Sequence, residues 1–118
     1  MSKQEKLLKI IIIELEDVIE DLNALAETYK TRLEAGEITD YVYKENTSLL
    51  RNEQACVKEY LKALQKIDVS VYEDEKQAAL GLKQVFINLL REHCYAKAVE
   101  NIVEIKIDKS LDFISSPP

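Results

Sequence analysis

Apolar residues recur every three or four positions through the first third of the chain. Between Leu8 and Tyr29 these steps alternate, which is the spacing of a helix that lies in a bundle. A second apolar row, which includes Ile12 and Ile19, runs beside the first and widens the stripe. A stripe of that width faces two neighbouring helices, whereas a two-stranded coiled coil needs only one narrow seam. The pattern therefore predicts a long first helix within a bundle.

Turn and capping residues divide the rest of the chain. Gly36 follows the last periodic residue of the first helix, and glycine readily takes the left-handed backbone that ends many helices. Thr39 can cap a second helix, and Ser70 with Glu73 has the spacing of a capping box before a third. Gly81 interrupts the apolar stripe of that third helix and predicts a close crossing with a neighbour.

These signals predict an all-α antiparallel bundle of three long helices. The predicted helices span about residues 4–35, 40–67 and 71–92. We expect a single domain over residues 1–114 and a disordered tail over residues 115–118, where serine and proline close the sequence.

An apolar surplus follows the third helix. At about 1.5 Å per residue, helix 3 reaches the level of the first turn near Ala98, and the apolar residues beyond it have no hairpin to pack on. Such an apolar surface must be buried against another part of the chain or another subunit. In order of preference, helix 3 breaks near residues 93–97 and a short fourth helix folds back, helix 3 extends onto another subunit, or residues 102–108 pair as a strand with a second copy.

Composition and charge exclude several classes of function. The 118 residues include two glycines and carry a formal charge of −6, which disfavours a glycine-rich phosphate loop, nucleic acid and anionic membrane surfaces as targets. No apolar stretch approaches the roughly 20 residues that span a bilayer, and the first apolar run lacks the features of a secretion signal. We therefore expect a cytoplasmic protein.

Counting along the bundle places Cys94 about 18 Å from the level of Cys56, which predicts two free thiols.

Candidate catalytic and metal-binding groups have simpler interpretations. His93 is the single histidine, and its neighbour Cys94 points about 100° away on a helix. Leu90 stands where a carboxylate-bridged metal site would need glutamate. The acidic residues within 14–21 fan out on a rigid helix and indicate a solvated face that can select a basic partner. We therefore predict no enzyme activity, no cofactor and no bound metal.

Lysines and carboxylates share one end of the bundle by the same count. Their proximity favours mutual neutralisation over an anion site. The lysines are Lys3, Lys6, Lys9, Lys58, Lys62 and Lys66, and the carboxylates are those of Asp68, Glu73, Asp74 and Glu75.

Two polar residues occupy apolar positions of the second helix. Thr47 and Gln54 predict either a hydrogen-bonded layer that fixes helix alignment or the lining of a ligand cavity, and the first is the commoner arrangement.

The pattern as a whole indicates a protein that acts by protein–protein association, as an adaptor, a scaffold or a homo-oligomeric subunit. A homodimer is the default closed assembly. The alternatives are a small acidic chaperone or immunity-type inhibitor of one partner, and a bundle that binds a small ligand. The candidate interaction surface consists of Ile10, Ile13, Tyr41, Tyr43, Tyr95, Val99, Ile102, Val103, Ile105, Ile107 and Phe113.

Overall fold

The computed structural model describes residues 1–93 and 98–116. Over those residues the chain forms four α-helices and one 3₁₀ turn: α1 (Lys3–Glu34), α2 (Asp40–Leu64), the turn Val69–Val71, α3 (Glu75–His93) and α4 (Ala98–Ser115). The predicted all-α bundle is confirmed. Residues 102–108, for which a strand was one of the three predicted arrangements, are helical. Residues 94–97, where a break in helix 3 was predicted, lie outside the described residues.

The turn between α1 and α2 has the predicted glycine geometry. Gly36 has a φ of 75°. Its amide donates to the Leu33 carbonyl at 3.0 Å, and the amide of Glu37 donates to the Arg32 carbonyl at 2.9 Å. These two bonds form a Schellman motif, which satisfies the last carbonyls of α1. Thr39 then caps α2 by accepting a hydrogen bond from the amide of Val42 at 3.2 Å.

Gly36→Ala is expected to lower the free energy of unfolding by about 1 kcal/mol, because an L side chain is strained in the left-handed region. Asn is the matched control, since it tolerates this backbone better than alanine does, and Gly36→Asn should cost less. Urea unfolding of the two variants and the wild type measures both effects. Equal losses for both substitutions would show that backbone conformation is not the cause.

The third helix begins later than predicted. It starts at Glu75, where Asp74 caps it by accepting a hydrogen bond from the amide of Gln77 at 2.8 Å. The predicted capping role of Ser70 is wrong, because the carboxylate of Asp68 accepts hydrogen bonds from both the amide and the hydroxyl of Ser70. Those bonds draw Ser70 into the 3₁₀ turn, and they also hold the pKa of Asp68 below its usual value.

Gly81 accommodates an aromatic ring on the surface of α3. A Cβ atom at this position would overlap the ring of Tyr72, which lies against the helix. The close neighbour at Gly81 is therefore a side chain from the connection between α2 and α3, whereas the sequence predicted a close crossing.

A double-mutant cycle tests this contact. Alanine is favoured over glycine within a helix by about 1 kcal/mol. Gly81→Ala in a Tyr72→Ala background should therefore raise the free energy of unfolding by about that amount. In the wild-type background the same change should stabilise less or destabilise, because the ring must move. An identical effect in both backgrounds, measured by urea unfolding, would contradict the contact.

Helix α4 folds back along the bundle. Lys83 of α3 pairs with Asp108 at 2.6 Å, and the hydroxyl of Ser115 lies 3.5 Å from a carboxylate oxygen of Glu75. The start of α3 therefore lies beside the end of α4, and the two helices are antiparallel. Helix α4 ends at Ser115.

Helix α4 also packs antiparallel to α1. The ammonium group of Lys106 pairs with the carboxylate of Glu14 at 3.1 Å, and Phe113 lies further along beside Ile10. Since Lys106 lies opposite Glu14, the start of α4 at Ala98 falls near the level of Leu22. The α1–α2 hairpin continues past that level to Gly36.

Candidate interaction surface

Four consecutive isoleucines surround the first half of α1. Successive residues on a helix point about 100° apart, so residues 10–13 cover its whole circumference. Ile11 is fully buried in the core, whereas Ile10 and Ile12 are half-buried and Ile13 is 49% exposed. Of the four isoleucines, Ile11 is the one that is fully buried in the core, and the side chain of Ile13 points into solvent.

A groove runs between α1 and α4 next to these isoleucines. It has a volume of about 280 Å³ and is lined by Ile10, Glu14, Lys109, Ser110 and Phe113. Phe113 is 72% exposed and Ile105 is 51% exposed. Fold-back of α4 thus brings Ile10 and Phe113, which are far apart in the sequence, to the same groove.

Further apolar residues extend this surface. Ile102 precedes Lys106 by one turn, on the side of α4 that contacts α1, and Ile105 follows Ile102 by three positions. We name the α1–α4 outer face as Ile10, Ile13, Ile102, Ile105 and Phe113. A shallow depression of about 440 Å³ adjoins Ile13 and is lined by Met1, Glu5, Leu8, Lys9, Ile12, Ile13 and Glu16.

Charges flank Ile13 on the exposed side of α1. Lys6 and Lys9 precede it, and Glu16, Asp17 and Glu20 follow it; all five are exposed. Within residues 1–93 and 98–116, none of the five forms an ion pair with another side chain. The predicted neutralisation at this end of the bundle holds for Lys3, whose ammonium group lies 3.9 Å from the carboxylate of Glu75.

Three predicted surface residues are instead part of the core. Val99, Val103 and Ile107 are at most 2% exposed, because the fold-back turns this row of α4 toward the interior. Their prediction as part of an exposed surface is therefore wrong.

The predicted tyrosines do not join the α1–α4 outer face. Tyr41 is 74% exposed and Tyr43 is half-buried at the start of α2, beside the first turn. Because Gly36 lies 26 residues from Ile10 along α1, that turn is about 40 Å from Ile10. Tyr95 lies outside the described residues.

The polar layer of α2 makes hydrogen bonds within the protein. The hydroxyl of Thr47 donates to the Tyr43 carbonyl at 2.8 Å. The amide nitrogen of Gln54 donates to the Ile19 carbonyl at 3.4 Å and to the side-chain oxygen of Asn23. Gln54 therefore joins α2 to α1, as a layer that fixes alignment requires. Neither Thr47 nor Gln54 lines the groove or the depression near Ile13.

Buried titratable groups in the core have structural surroundings. The hydroxyl of Tyr60 donates to the Leu82 carbonyl at 2.6 Å, and its ring packs edge-on against Phe86 with centroids 4.7 Å apart. Burial raises the pKa of Tyr60, and it raises the pKa of the Cys56 thiol to about 11. Cys56 is therefore a neutral, free thiol at physiological pH. Cys94 lies outside the described residues.

Neither a metal cluster nor a membrane span is found in the described part of the chain. Over residues 1–93 and 98–116, no three side chains of the His, Cys, Asp or Glu types are grouped to hold a metal ion. None of the helices described there combines the length and the apolar character that crossing a bilayer requires.

The fold and this surface define the class of the protein as an all-α helical bundle with an apolar face on α1 and α4. No protein-family model matches the chain, and no curated protein or solved structure matches it either. The surface chemistry is therefore the basis for inferring a function.

Proposed function

We propose that the protein acts by protein–protein association through the α1–α4 outer face, as an adaptor, a scaffold or a homo-oligomeric subunit, and that it catalyses no reaction. The observation that carries this proposal is the cluster of aliphatic and aromatic side chains on that face. Ile13, Ile105 and Phe113 are each about half exposed or more, although α1 and α4 both contribute other side chains to a filled core.

The energetics of such a face favour a protein partner. Each square ångström of apolar surface withdrawn from water contributes about 25 cal/mol. Aromatic and aliphatic anchors near the centre of a contact, with charges at its rim, are typical of protein interfaces. Phe113 and Ile13 supply the anchors, and Lys6, Lys109 and Asp17 supply charges around them.

Charge supports the kind of partner that we propose. A formal charge of −6 disfavours nucleic acid and anionic membranes and favours a protein. We also propose a cytoplasmic location, with which the free, buried thiol of Cys56 is compatible.

The experiment compares Ile13→Glu and Phe113→Glu with Leu80→Glu. Leu80 is 59% exposed on α3, outside the α1–α4 outer face, so it is a matched control for placing a carboxylate at an exposed apolar site. Each variant is purified from the native cell, and both co-purifying polypeptides and the mass in solution are measured. We expect the two face variants to lose association and Leu80→Glu to keep it. Retention of the same association by all three variants would contradict the proposal.

A further inference from the structure

We infer that the partner of the α1–α4 outer face is a second copy of this chain, with the two α1 helices packed antiparallel about a twofold axis at Ile13. This inference rests on the proposed function and names its partner. The observation behind it is the order of charges on the exposed side of α1.

The charged residues and Ile13 lie in one row along the helix. Lys6, Lys9, Ile13, Glu16 and Glu20 follow one another in steps of three or four, so they share one side of α1. All five are exposed. The row is basic before Ile13 and acidic after it.

Antiparallel packing about Ile13 pairs opposite charges. Positions equally far from Ile13 face each other, so Lys6 lies opposite Glu20 of the other copy, and Lys9 lies opposite Asp17. The twofold axis makes each pair twice. A parallel arrangement would instead place lysine against lysine and carboxylate against carboxylate, which is unfavourable.

The centre of the same row is apolar. Ile13 meets its own symmetry mate on the axis, and the depression lined by Leu8 and Ile12 lies beside it. Ile10 and Phe113 border the contact through the groove on the α4 side. An apolar centre with a charged rim is the usual composition of a dimer interface.

A different partner of uniform charge fits this row less well. A basic segment would pair with Glu16, Asp17 and Glu20 but would face Lys6 and Lys9 with like charge. An acidic segment would pair with Lys6 and Lys9 but would face Glu16, Asp17 and Glu20 with like charge. The chain's own α1 carries the complementary order of charges along the same length.

Charge reversal tests the register by sedimentation equilibrium at low salt. We expect a wild-type dimer that weakens as salt rises, since these pairs are exposed. Lys6→Glu with Lys9→Glu, or Asp17→Lys with Glu20→Lys, should each raise the dimer dissociation constant at least about tenfold. Mixing these two double variants should give a heterodimer, and one chain that carries all four changes should form a homodimer again.

The matched control is Lys58→Glu with Lys66→Glu. Lys58 lies on α2 and Lys66 lies two residues beyond its end, and both are exposed. Their reversal changes the net charge by the same amount as reversal of Lys6 and Lys9. Dimerisation of this control should weaken much less than that of Lys6→Glu with Lys9→Glu under the same conditions, because charges outside the contact act only through the net charge.

Disulfide trapping locates the axis independently. In a Cys94→Ser background, where the remaining cysteine is buried Cys56, oxidation should link Ile13→Cys to its own copy. Lys6→Cys alone should not form this link, whereas a mixture of Lys6→Cys and Glu20→Cys chains should.

A wild-type chain that is monomeric at about 1 mM and low salt would overturn the inference, as would charge reversals that behave like the control at Lys58 and Lys66. If Ile13→Glu then still loses a different co-purifying polypeptide, the proposed function stands and the second copy is wrong. If the chain is monomeric and the face variants also keep every association of the wild type, the proposed association function is wrong as well.

Discussion

Replacing Phe86 with alanine is expected to lower the free energy of unfolding by about 3–5 kcal/mol. The ring is 1% exposed and meets the edge of Tyr60 at an interplanar angle of 61°. Its removal leaves a cavity between α2 and α3, and it also loses an aromatic pair worth about 1 kcal/mol beyond its buried area. Urea unfolding monitored by circular dichroism measures the change.

Phe113 is the matched control because it is the other phenylalanine of the chain and is 72% exposed. Phe113→Ala should alter the unfolding free energy by less than about 0.5 kcal/mol when measured at a protein concentration at which the chain is monomeric. Comparable losses for the two variants would contradict the placement of the Phe86 ring in the core and of the Phe113 ring on the surface.

The pairing of Tyr60 with Phe86 illustrates the limit of sequence periodicity. The apolar spacing in the sequence places Phe86 on the apolar stripe of the third helix and Tyr60 beside the apolar stripe of the second. Periodicity assigns a residue to a helix face, whereas the partner across the interface depends on the offset between the two helices. The hydrogen bond from Tyr60 to the Leu82 carbonyl has no local sequence signal.

Helix ends could be predicted from the sequence where a single residue provides the turn or the cap that the end of the helix needs. Gly36 and Thr39 determine the first turn through local geometry, and the predicted roles of both are confirmed. The second connection contains several capping residues close together, namely Asp68, Ser70 and Asp74. The choice among them depends on tertiary packing of the connection, and the start of α3 was therefore placed several residues too early.

The apolar surplus after Ala98 correctly indicated that this segment needs a cover, and a fold-back helix was the preferred arrangement. The sequence did not separate its buried row from its exposed row. Val103 and Ile107 face the core, whereas Ile105, between them in the sequence, is exposed. Ile10 and Phe113 share a groove only because α4 returns along α1, so their proximity could not be predicted from either segment alone.

Ile107→Asp is expected to lower the unfolding free energy by about 4 kcal/mol or more and to leave much of the protein unfolded at 25 °C. Ile107 is 0% exposed in the core, and a carboxylate there has no cationic partner to offset the loss of hydration. Far-ultraviolet circular dichroism and urea unfolding report the loss of helix and of cooperativity.

Ile105→Asp provides the control within the same helix. Ile105 is 51% exposed, so its carboxylate stays hydrated and the monomer should retain nearly all of its stability. The two substitutions lie two positions apart and carry the same cost in helix propensity. Their difference therefore isolates the orientation of α4. A folded Ile107→Asp variant, together with an unfolded Ile105→Asp variant, would mean that α4 turns its opposite face to the core. Ile105 would then leave the α1–α4 outer face, and the association proposal would lose one of its three most exposed apolar residues.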